Sequence, residues 1–359
     1  MRQNLLRFAL ALLGMWATIG VAAAQEYCDT QPTEIAKARC RAVYQSRNLP
    51  EDVARAEASA THINWVYDTA ISPDGSLLAS AGRDQTVKLW DFASGRFLRN
   101  LGKHDGWVRA VAFSPDGTKV YALADNEGLS ELDVATGKSL RNAPQLPGPN
   151  MEWFRLAVSH DGRFIALGGG IDPSVRIWDA ASWSEKHRVS FKYAPSGLAF
   201  SPTASTLAMA TEHDVQLWDP ETGKQTGALA TSEGAAALAF SPDGSLLAVG
   251  ENQKAEIWNV ASRKLVRQTP SKDIPSIFAL AITPDNSILV TGTDAPAAFD
   301  IATGKARGQF GDMGDLCHSV AISKDGRYAV TGHMGSDIRV WDIASGALVR
   351  RFGEAVAQP

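Results

Sequence analysis

Histidine and acidic side chains are the first candidates for chemistry in this chain, which has seven histidines and 39 acidic residues. The densest group is near the C-terminus and consists of Asp315, His318, His333 and Met334. Imidazole nitrogens and carboxylate oxygens are common metal ligands, so this group is the natural place for a metal ion. No other segment supplies ligands at metal-binding spacing, and isolated surface histidines are common. The sequence therefore predicts neither a bound metal nor a cofactor.

Motifs that carry catalysis are not found in the sequence. No glycine-rich phosphate loop follows a strand-like run and opens a helix. No serine lies in the glycine-flanked turn of a hydrolase nucleophile, and no Cys-x-x-Cys pair suggests a redox or haem site. The many aspartates occupy turn positions that explain them structurally. We therefore expect a protein that is not an enzyme.

The first 24 residues are predicted to be a secretory signal peptide of bacterial type. Arg2 and Arg7 give a positive start, residues 8–21 are apolar, and three alanines at 22–24 offer a cleavage site. A membrane anchor is the rival interpretation, but the apolar stretch is short for a span and is interrupted by two glycines. Cleavage would remove two arginines and no acid, so the net charge of −4 would become −6. We expect a periplasmic or secreted protein, with no nucleic-acid partner and no membrane span after cleavage.

Residues 25–60 differ in composition from the rest and are predicted to form a short helical extension. Pro32 and Pro50 stand where helices begin, each with a glutamate nearby in the first turn. This segment holds Cys28 and Cys40, whereas the third cysteine, Cys317, is far away. Three pairings are possible, and in an oxidising compartment the two neighbouring thiols are expected to pair. We expect this extension to pack against the main domain, and docking of a partner is the alternative role.

Two markers recur in phase through the remainder of the chain, at intervals of about 40–45 residues. The first is a Ser-Pro-Asp-Gly turn or a close variant, and the second is a Trp-Asp pair or a close variant. Around the first copy, four short strand-like runs are separated by turns. The turns begin at Ser72, Ser114, Ser159, Ser201, Ser241, Thr283 and Ser323, and the pairs at Trp90, Leu132, Trp178, Trp218, Trp258, Phe299 and Trp341.

With these seven repeats, the chain resembles the WD40 (WD-repeat) β-propellers over roughly residues 62–352. The resemblance implies an all-β, seven-bladed propeller at 61–352, followed by a short tail at 353–359. It also implies a buried hydrogen-bonded tetrad in the first repeat, made by His62, Ser80, Asp84 and Trp90. The second repeat keeps a histidine, His104, but the third to seventh repeats lack it at this position, and the later blades are expected to depend more on apolar packing.

The resemblance further implies a non-enzymatic, monomeric scaffold that binds a protein or peptide through the top face of the propeller. The fifth residue past each histidine position is expected to surround the mouth of the central channel, and on blades one to three these residues are large. Exposed aromatic residues with arginine are typical of binding hot spots. The predicted partner site comprises Tyr67, Arg109 and Phe154, with Trp65, Trp107, Asp68 and Arg155 beside them.

The alternative function is an exported propeller enzyme that binds a small molecule, metal or cofactor in its channel. Charged or histidine side chains converging on the channel from several blades would favour that alternative. The inner strands hold mostly small residues, which weighs against it. The basic residues of the fourth strands are interpreted as protection of exposed sheet edges, not as a nucleic-acid site.

Overall fold

The structure is a computed structural model that describes residues 59–143, 155–169, 173–231, 234–269, 276–311 and 316–352. All regular elements in these ranges are β-strands, arranged as seven four-stranded antiparallel sheets. No helix in the described ranges is long and apolar enough to cross a membrane. The predicted signal peptide, the helical extension with Cys28 and Cys40, and the C-terminal tail lie outside the described residues.

The strands follow the chain in order, four to a sheet, and each sheet is one blade. Blades 1 to 3 contain β1 (Val66–Ile71), β2 (Leu77–Gly82), β3 (Val87–Asp91), β4 (Phe97–Asn100); β5 (Val108–Phe113), β6 (Lys119–Ala124), β7 (Gly128–Asp133), β8 (Ser139–Asn142); β9 (Arg155–Val158), β10 (Phe164–Gly168), β11 (Ser174–Asp179) and β12 (Ser184–Ser190).

Blades 4 to 7 repeat the same arrangement. They contain β13 (Gly197–Phe200), β14 (Leu207–Ala210), β15 (Val215–Asp219), β16 (Lys224–Leu229); β17 (Ala237–Phe240), β18 (Leu246–Gly250), β19 (Ala255–Asn259), β20 (Lys264–Gln268); β21 (Ala279–Ile282), β22 (Ile288–Gly292), β23 (Ala297–Asp300), β24 (Ala306–Gln309); β25 (Cys317–Ile322), β26 (Tyr328–His333), β27 (Ile338–Asp342) and β28 (Leu348–Arg351).

The first strand of each blade is innermost, and the seven inner strands form a closed ring. Each inner strand contacts the inner strands of the two neighbouring blades, and the ring closes where β1 meets β25. The second and third strands are mostly buried, whereas outermost strands such as β20 and β24 are exposed along their whole length. The prediction of an all-β, seven-bladed propeller is therefore confirmed.

Turn chemistry explains why the chain reverses between the first and second strands of each blade. In blade 1 the Ser72 hydroxyl donates to Asp74, whose carboxylate accepts from the Ser76 amide, and Gly75 takes a left-handed φ of 81°. In blade 6 Asn286 replaces that glycine and adopts a φ of 58°. In blade 4 the motif is lost, and the Ala204 amide donates to the Ser201 hydroxyl instead. The turn differs because Thr203 and Ala204 stand where the other motif copies have Asp followed by Gly or Asn.

Apolar packing between blades is the main source of cohesion. Seven buried clusters are found in the described part of the chain, one at each junction between neighbouring blades. Each cluster joins the inner three strands of one blade to those of the next. A single sheet could not bury both faces alone, so each blade depends on its neighbours for stability.

The outer strands contribute polar bridges between blades as well as edge protection. Arg141 on β8 donates to the carbonyl of Ala180 in blade 3 over 3.1 Å, and it also pairs with Glu131. Arg350 on β28 donates to the carbonyl of Phe92 in blade 1, also over 3.1 Å. Edge protection alone is therefore an incomplete account of the basic fourth strands, because some of these arginines join adjacent blades.

Every blade is built from four consecutive strands, so no N-terminal strand in the described part of the chain completes blade 7. Side-chain packing between blades 7 and 1 closes the ring instead. Phe352 follows β28 and packs edge-on against Trp90 of blade 1, with the two ring centroids 5.6 Å apart. At the preceding junction, Phe310 follows β24 and packs on Trp341 of blade 7, with the two rings stacked and their centroids 6.0 Å apart. The closing junction thus repeats the packing of an internal junction. Thr69 and Ser319 add a hydroxyl–hydroxyl hydrogen bond of 3.0 Å across it.

Replacing Phe352 with alanine should open this closing junction. Both Phe352 and Phe310 are buried, so either change to alanine should cost about 3 kcal/mol of unfolding free energy. Only the blade 7–blade 1 junction lacks a chain connection, so Phe352→Ala should also accelerate hydrogen exchange of the β1 amides. Phe310→Ala is the matched control. Equal exchange rates at β1 in the two variants would show that Phe352 does not hold the ring closed.

Candidate interaction site at the mouth of the central channel

The predicted tetrad residues of blade 1 lie together and form a continuous buried hydrogen-bond chain. The Trp90 indole Nε1–H donates to the Ser80 hydroxyl over 2.8 Å, and Ser80 lies 2.7 Å from His62 Nε2. His62 Nδ1 lies 3.0 Å from Asp84 Oδ2. Gly82 is required here, because a Cβ at this position would come within 2.5 Å of both His62 and Asp84. The set joins the segment before β1 to β2, β3 and the turn between them.

Blade 7 makes a related chain with a histidine from a different position. The Trp341 indole donates to the Thr331 hydroxyl over 2.8 Å, and Thr331 lies 2.7 Å from His333 Nε2. His333 ends β26 at the position that Gly82 occupies in blade 1. The His333 ring therefore contacts the Thr331 hydroxyl, which is the equivalent of the Ser80 hydroxyl that His62 contacts from a loop in blade 1. Buried in this structural role, His333 is not an exposed metal ligand.

In blades 4 and 5 the Ser80 position is occupied by Met209 and Val249, which cannot accept the indole proton, and the tryptophan bonds within its own strand. The Trp218 indole donates to the Gln216 side chain over 3.1 Å, and the Trp258 indole donates to Glu256 over 3.0 Å. Blades 4 and 5 therefore lack the cross-strand indole bond that blades 1 and 7 make.

Three neighbouring blades share a β-bulge at the start of the inner strand. The pairing with the second strand shifts between Val66 and Asp68 in blade 1, and the same shift occurs in blades 2 and 7. The extra residues are Tyr67, Arg109 and His318, which occupy equivalent positions. Bulges commonly redirect a side chain at a functional site. In blades 3 to 6 the inner strand begins later and pairs without this shift.

Around these bulges, aromatic rings and guanidinium groups alternate in one stack. The Arg83 guanidinium lies 4.9 Å from the Trp65 ring and 4.2 Å from the Trp107 ring. The Arg109 guanidinium lies 4.7 Å from both the Trp107 and Tyr67 rings. His318 stacks on Trp65 at 5.8 Å. The channel-mouth cluster is defined as Trp65, Tyr67, Arg83, Trp107, Arg109, Asp125 and His318.

Arg109 is fixed in place by an ion pair. Its Nε and Nη2 donate to the Asp125 carboxylate, with the shortest contact at 2.9 Å, and only 8% of its side chain is exposed. The four rings of the cluster are half-buried. The prediction that these aromatic residues are exposed is therefore corrected, because they pack against the arginines. The result is a rigid surface of which only part faces solvent.

Two further predicted residues, Asp68 and Arg155, are half-buried on inner strands next to the cluster. Asp68 accepts from the backbone amides of Val111 and Thr69, at 3.0 and 2.9 Å. Burial raises the pKa of Asp68 to about 6, an effect opposed by these amides and by the charge of Arg155. Arg155 donates to the carbonyls of Ser196 and Ala236, at 2.7 and 3.4 Å. Arg155 of blade 3 thus contacts the backbone of the loops that precede the inner strands of blades 4 and 5.

His318 is held in its neutral form at physiological pH. Burial lowers its pKa to about 4, and the nearby charges of Arg155, Arg109 and His333 add to this effect. Its ring is surrounded by the rings of Trp65, Tyr67 and Phe278, with centroids 5.8 to 6.1 Å away. The Nε2 atom is buried and has no hydrogen-bond partner in the described part of the chain.

Tyr67, Arg109, Trp65 and Trp107 lie together as one group, and His318 of blade 7 contacts this group through Trp65 and Tyr67. Phe154 lies outside the described residues. No group of three or more His, Cys, Asp or Glu that could hold a metal ion is found in the described ranges. Cys317 is buried where blades 1 and 2 have valine.

Sequence reasoning did not place Arg83 and Asp125 in the site. Both follow the end of a second strand and meet the inner-strand residues only through folding. Their position was a possible signal: they occupy the same offset in successive repeats, directly after β2 and β6. From the sequence alone, the turn itself is a sufficient reason for an Arg or Asp at these positions, so neither residue is assigned to a binding site.

Comparison with known families identifies repeats of one kind along the chain. The model of the WD domain, G-beta repeat matches residues 59–91, 95–127, 147–179, 224–259 and 309–342. The remaining repeats are the divergent ones, yet they form blades of the same four-stranded design.

Curated proteins resemble short stretches of the chain. The small ribosomal subunit protein RACK1z of Arabidopsis thaliana is 52% identical over 42 residues, which is 12% of this chain and 13% of that protein. Ribosome assembly protein 4 of Chaetomium thermophilum is 49% identical over 39 residues, 11% of this chain and 8% of that protein. Apoptotic protease-activating factor 1 of Danio rerio is 35% identical over 68 residues, 18% of this chain and 5% of that protein. The chain therefore matches only a small part of each relative's length. The repeat matches and the closed ring of seven four-stranded blades together show that the chain belongs to the WD40-repeat family of β-propellers.

Proposed function

We propose that the protein is a non-enzymatic interaction scaffold that binds a protein or peptide at the channel-mouth cluster. The observation that carries the proposal is the rigid stack of rings and guanidinium groups on adjacent blades. Half-buried aromatic residues and a fixed arginine give large contact area with little loss of side-chain entropy on binding. WD40 propellers are generally scaffolds, which agrees with this role.

The setting of this function is also part of the proposal. We propose that residues 1–24 direct export, that the mature protein is a periplasmic or secreted monomer, and that Cys28 and Cys40 are joined. Support comes from the sequence of residues 1–40 alone. Mass mapping of non-reduced peptides from exported protein tests the disulfide, and two free thiols would contradict it.

A double change, Tyr67→Ala with Arg109→Ala, tests the binding site. A partner captured by the wild-type protein should bind this variant at least tenfold more weakly, because two hot-spot side chains are lost. Tyr193→Ala is the control, since Tyr193 is 54% exposed, lies in the connection between β12 and β13, and is outside the cluster. Folding of both variants is checked by thermal unfolding. Undiminished affinity in the double variant would place the partner site elsewhere.

A second candidate function is supported by one observation. Asp68, Arg155 and His318 come from blades 1, 3 and 7 and interact electrostatically with one another through Arg155. Charged and imidazole groups converging from several blades would suit a small ligand in the channel of an exported enzyme. We rank this second because the serine–histidine pair of Ser80 and His62 is buried inside blade 1 and the described residues contain no metal-binding group.

A further inference from the structure

Hydrogen-bond donors without acceptors are concentrated in the channel-mouth cluster. Arg109 uses Nε and Nη2 for Asp125, while its Nη1 has no acceptor among the described residues. Polar atoms on the Trp65, Tyr67 and Trp107 rings and on the His318 imidazole also have no hydrogen-bond partner among the described residues. These atoms are Tyr67 Oη, Trp65 Nε1, Trp107 Nε1 and, in the tautomer protonated there, His318 Nε2.

The acceptors close to these donors are already occupied. Both carboxylate oxygens of Asp125 accept from Arg109, and both oxygens of Asp68 accept from backbone amides. A surface with several open donors and occupied carboxylates is complementary to a ligand that carries acceptor oxygens and negative charge.

The donors are also held in position before any ligand arrives. Arg109 is clamped by its ion pair and by two rings, so its Nη1 edge has little freedom. Tyr67, Arg109 and His318 are the bulge residues of adjacent blades, so the same backbone irregularity brings all three side chains to the mouth. Buried polar atoms without partners are costly and call for an explanation. A ligand oxygen would supply one for His318 Nε2.

We propose that the channel-mouth cluster binds a carboxylate of the partner peptide, with Arg109 Nη1 as the charged donor and Tyr67 Oη beside it. The carboxylate belongs either to an acidic side chain or to a free C-terminus. The proposal rests on the proposed function and specifies which chemical group of the partner the site recognises. A carboxylate suits the site better than a doubly charged phosphate, because Asp125 already offsets much of the Arg109 charge.

Short peptides of defined charge test this proposal directly. The probes are acetyl-Gly-Gly-Glu-Gly-Gly-amide, the same peptide with Gln for Glu, and acetyl-tetraglycine with a free C-terminus. Binding to the full chain is followed by the tryptophan indole N–H signals in nitrogen-15 NMR titrations. We expect the Glu peptide, the free-C-terminus peptide or both to shift the Trp65 and Trp107 signals. The Gln peptide should bind at least tenfold more weakly.

Conservative variants separate recognition from folding. Tyr67→Phe keeps the ring and removes only the hydroxyl, so it should weaken carboxylate binding about 3- to 10-fold. Arg109→Gln should weaken it more than tenfold, because it removes the charged donor. Tyr193→Phe is the matched control and should leave affinity unchanged. Equal binding of the Glu and Gln peptides, or a Tyr67→Phe affinity equal to that of wild type, would overturn the proposal.

The outcomes also distinguish this proposal from the proposed function. If a captured partner shifts the Trp65 and Trp107 signals but neither carboxylate peptide does, the scaffold function stands and carboxylate recognition fails. If the carboxylate peptides shift these signals and the partner does not, carboxylate recognition stands and the partner binds elsewhere. A site that responds to acetyl-Gly-Gly-phosphoserine-Gly-Gly-amide but not to the Glu peptide would contradict the preference for carboxylate.

Discussion

Replacing Trp90 with alanine should lower the free energy of unfolding by about 3–5 kcal/mol, toward the top of that range. Trp90 is 1% exposed, and its ring packs against Phe97 and Phe352, each at 5.6 Å. The change would leave a cavity at the junction that closes the ring and would also remove the donor to Ser80. Chemical denaturation followed by circular dichroism measures the loss.

Trp218→Ala provides the matched control for this prediction. Trp218 occupies the equivalent position in blade 4, but it is only half-buried and its indole bonds within its own strand. Its removal should therefore cost clearly less than the removal of Trp90. An unchanged denaturation midpoint for Trp90→Ala would show that the closing junction contributes little to stability.

Replacing Asp84 with alanine should cost about 3–5 kcal/mol, because it breaks a buried charged network and leaves its donors without an acceptor. The Asp84 carboxylate accepts from the Thr86 hydroxyl at 2.7 Å and from the Ile63 amide at 3.1 Å, and it pairs with His62. An exposed turn aspartate, Asp243, is the control. Asp243→Ala should cost much less, since its partners can bond to water instead.

The same network predicts how stability depends on pH. Burial alone would raise the pKa of Asp84, but the charge and hydrogen bond of His62 and the Thr86 hydroxyl outweigh it and hold the pKa below its usual value. The folded state then binds the Asp84 proton less readily than the unfolded state does. The contribution of Asp84 is therefore complete above its unfolded pKa of about 3.8, and it is lost as the pH falls through the lower folded pKa.

Comparing the wild type with Asp84→Asn measures this contribution. The difference in unfolding free energy should shrink as the pH falls below about 4. A difference that instead grows on acidification would mean that the His62–Asp84 pair does not stabilise the folded state.

The sequence alone determined the number of blades and their order. The turn that begins at Ser72 and the Trp90-Asp91 pair are local devices: the first sets where a strand reverses, and the second marks a buried strand followed by a turn. Because both depend on neighbouring residues, seven copies in phase specify seven sheets without any knowledge of long-range contacts. The different turn of blade 4 and the left-handed Asn286 are likewise local features, because each follows from the residues of its own turn.

Only the tertiary structure decided which side chains meet. His333 lies in the same buried network position as His62 although it occupies a different place in its repeat, because what matters is the distance to the Thr331 hydroxyl across the sheet. The fourth-strand Arg350 reaches the first blade because the ring closes there.

The candidate site depended on closure for the same reason. The sequence selected Tyr67 and Arg109 from their repeat position and grouped them with Phe154 of blade 3, the next blade along the chain. In a closed ring, blade 1 has two neighbours, and one of them is the last blade of the chain. His318 therefore packs against Trp65 from a distance in sequence that no local pattern encodes, and the β-bulges that bring these residues together are a property of strand pairing, not of residue type.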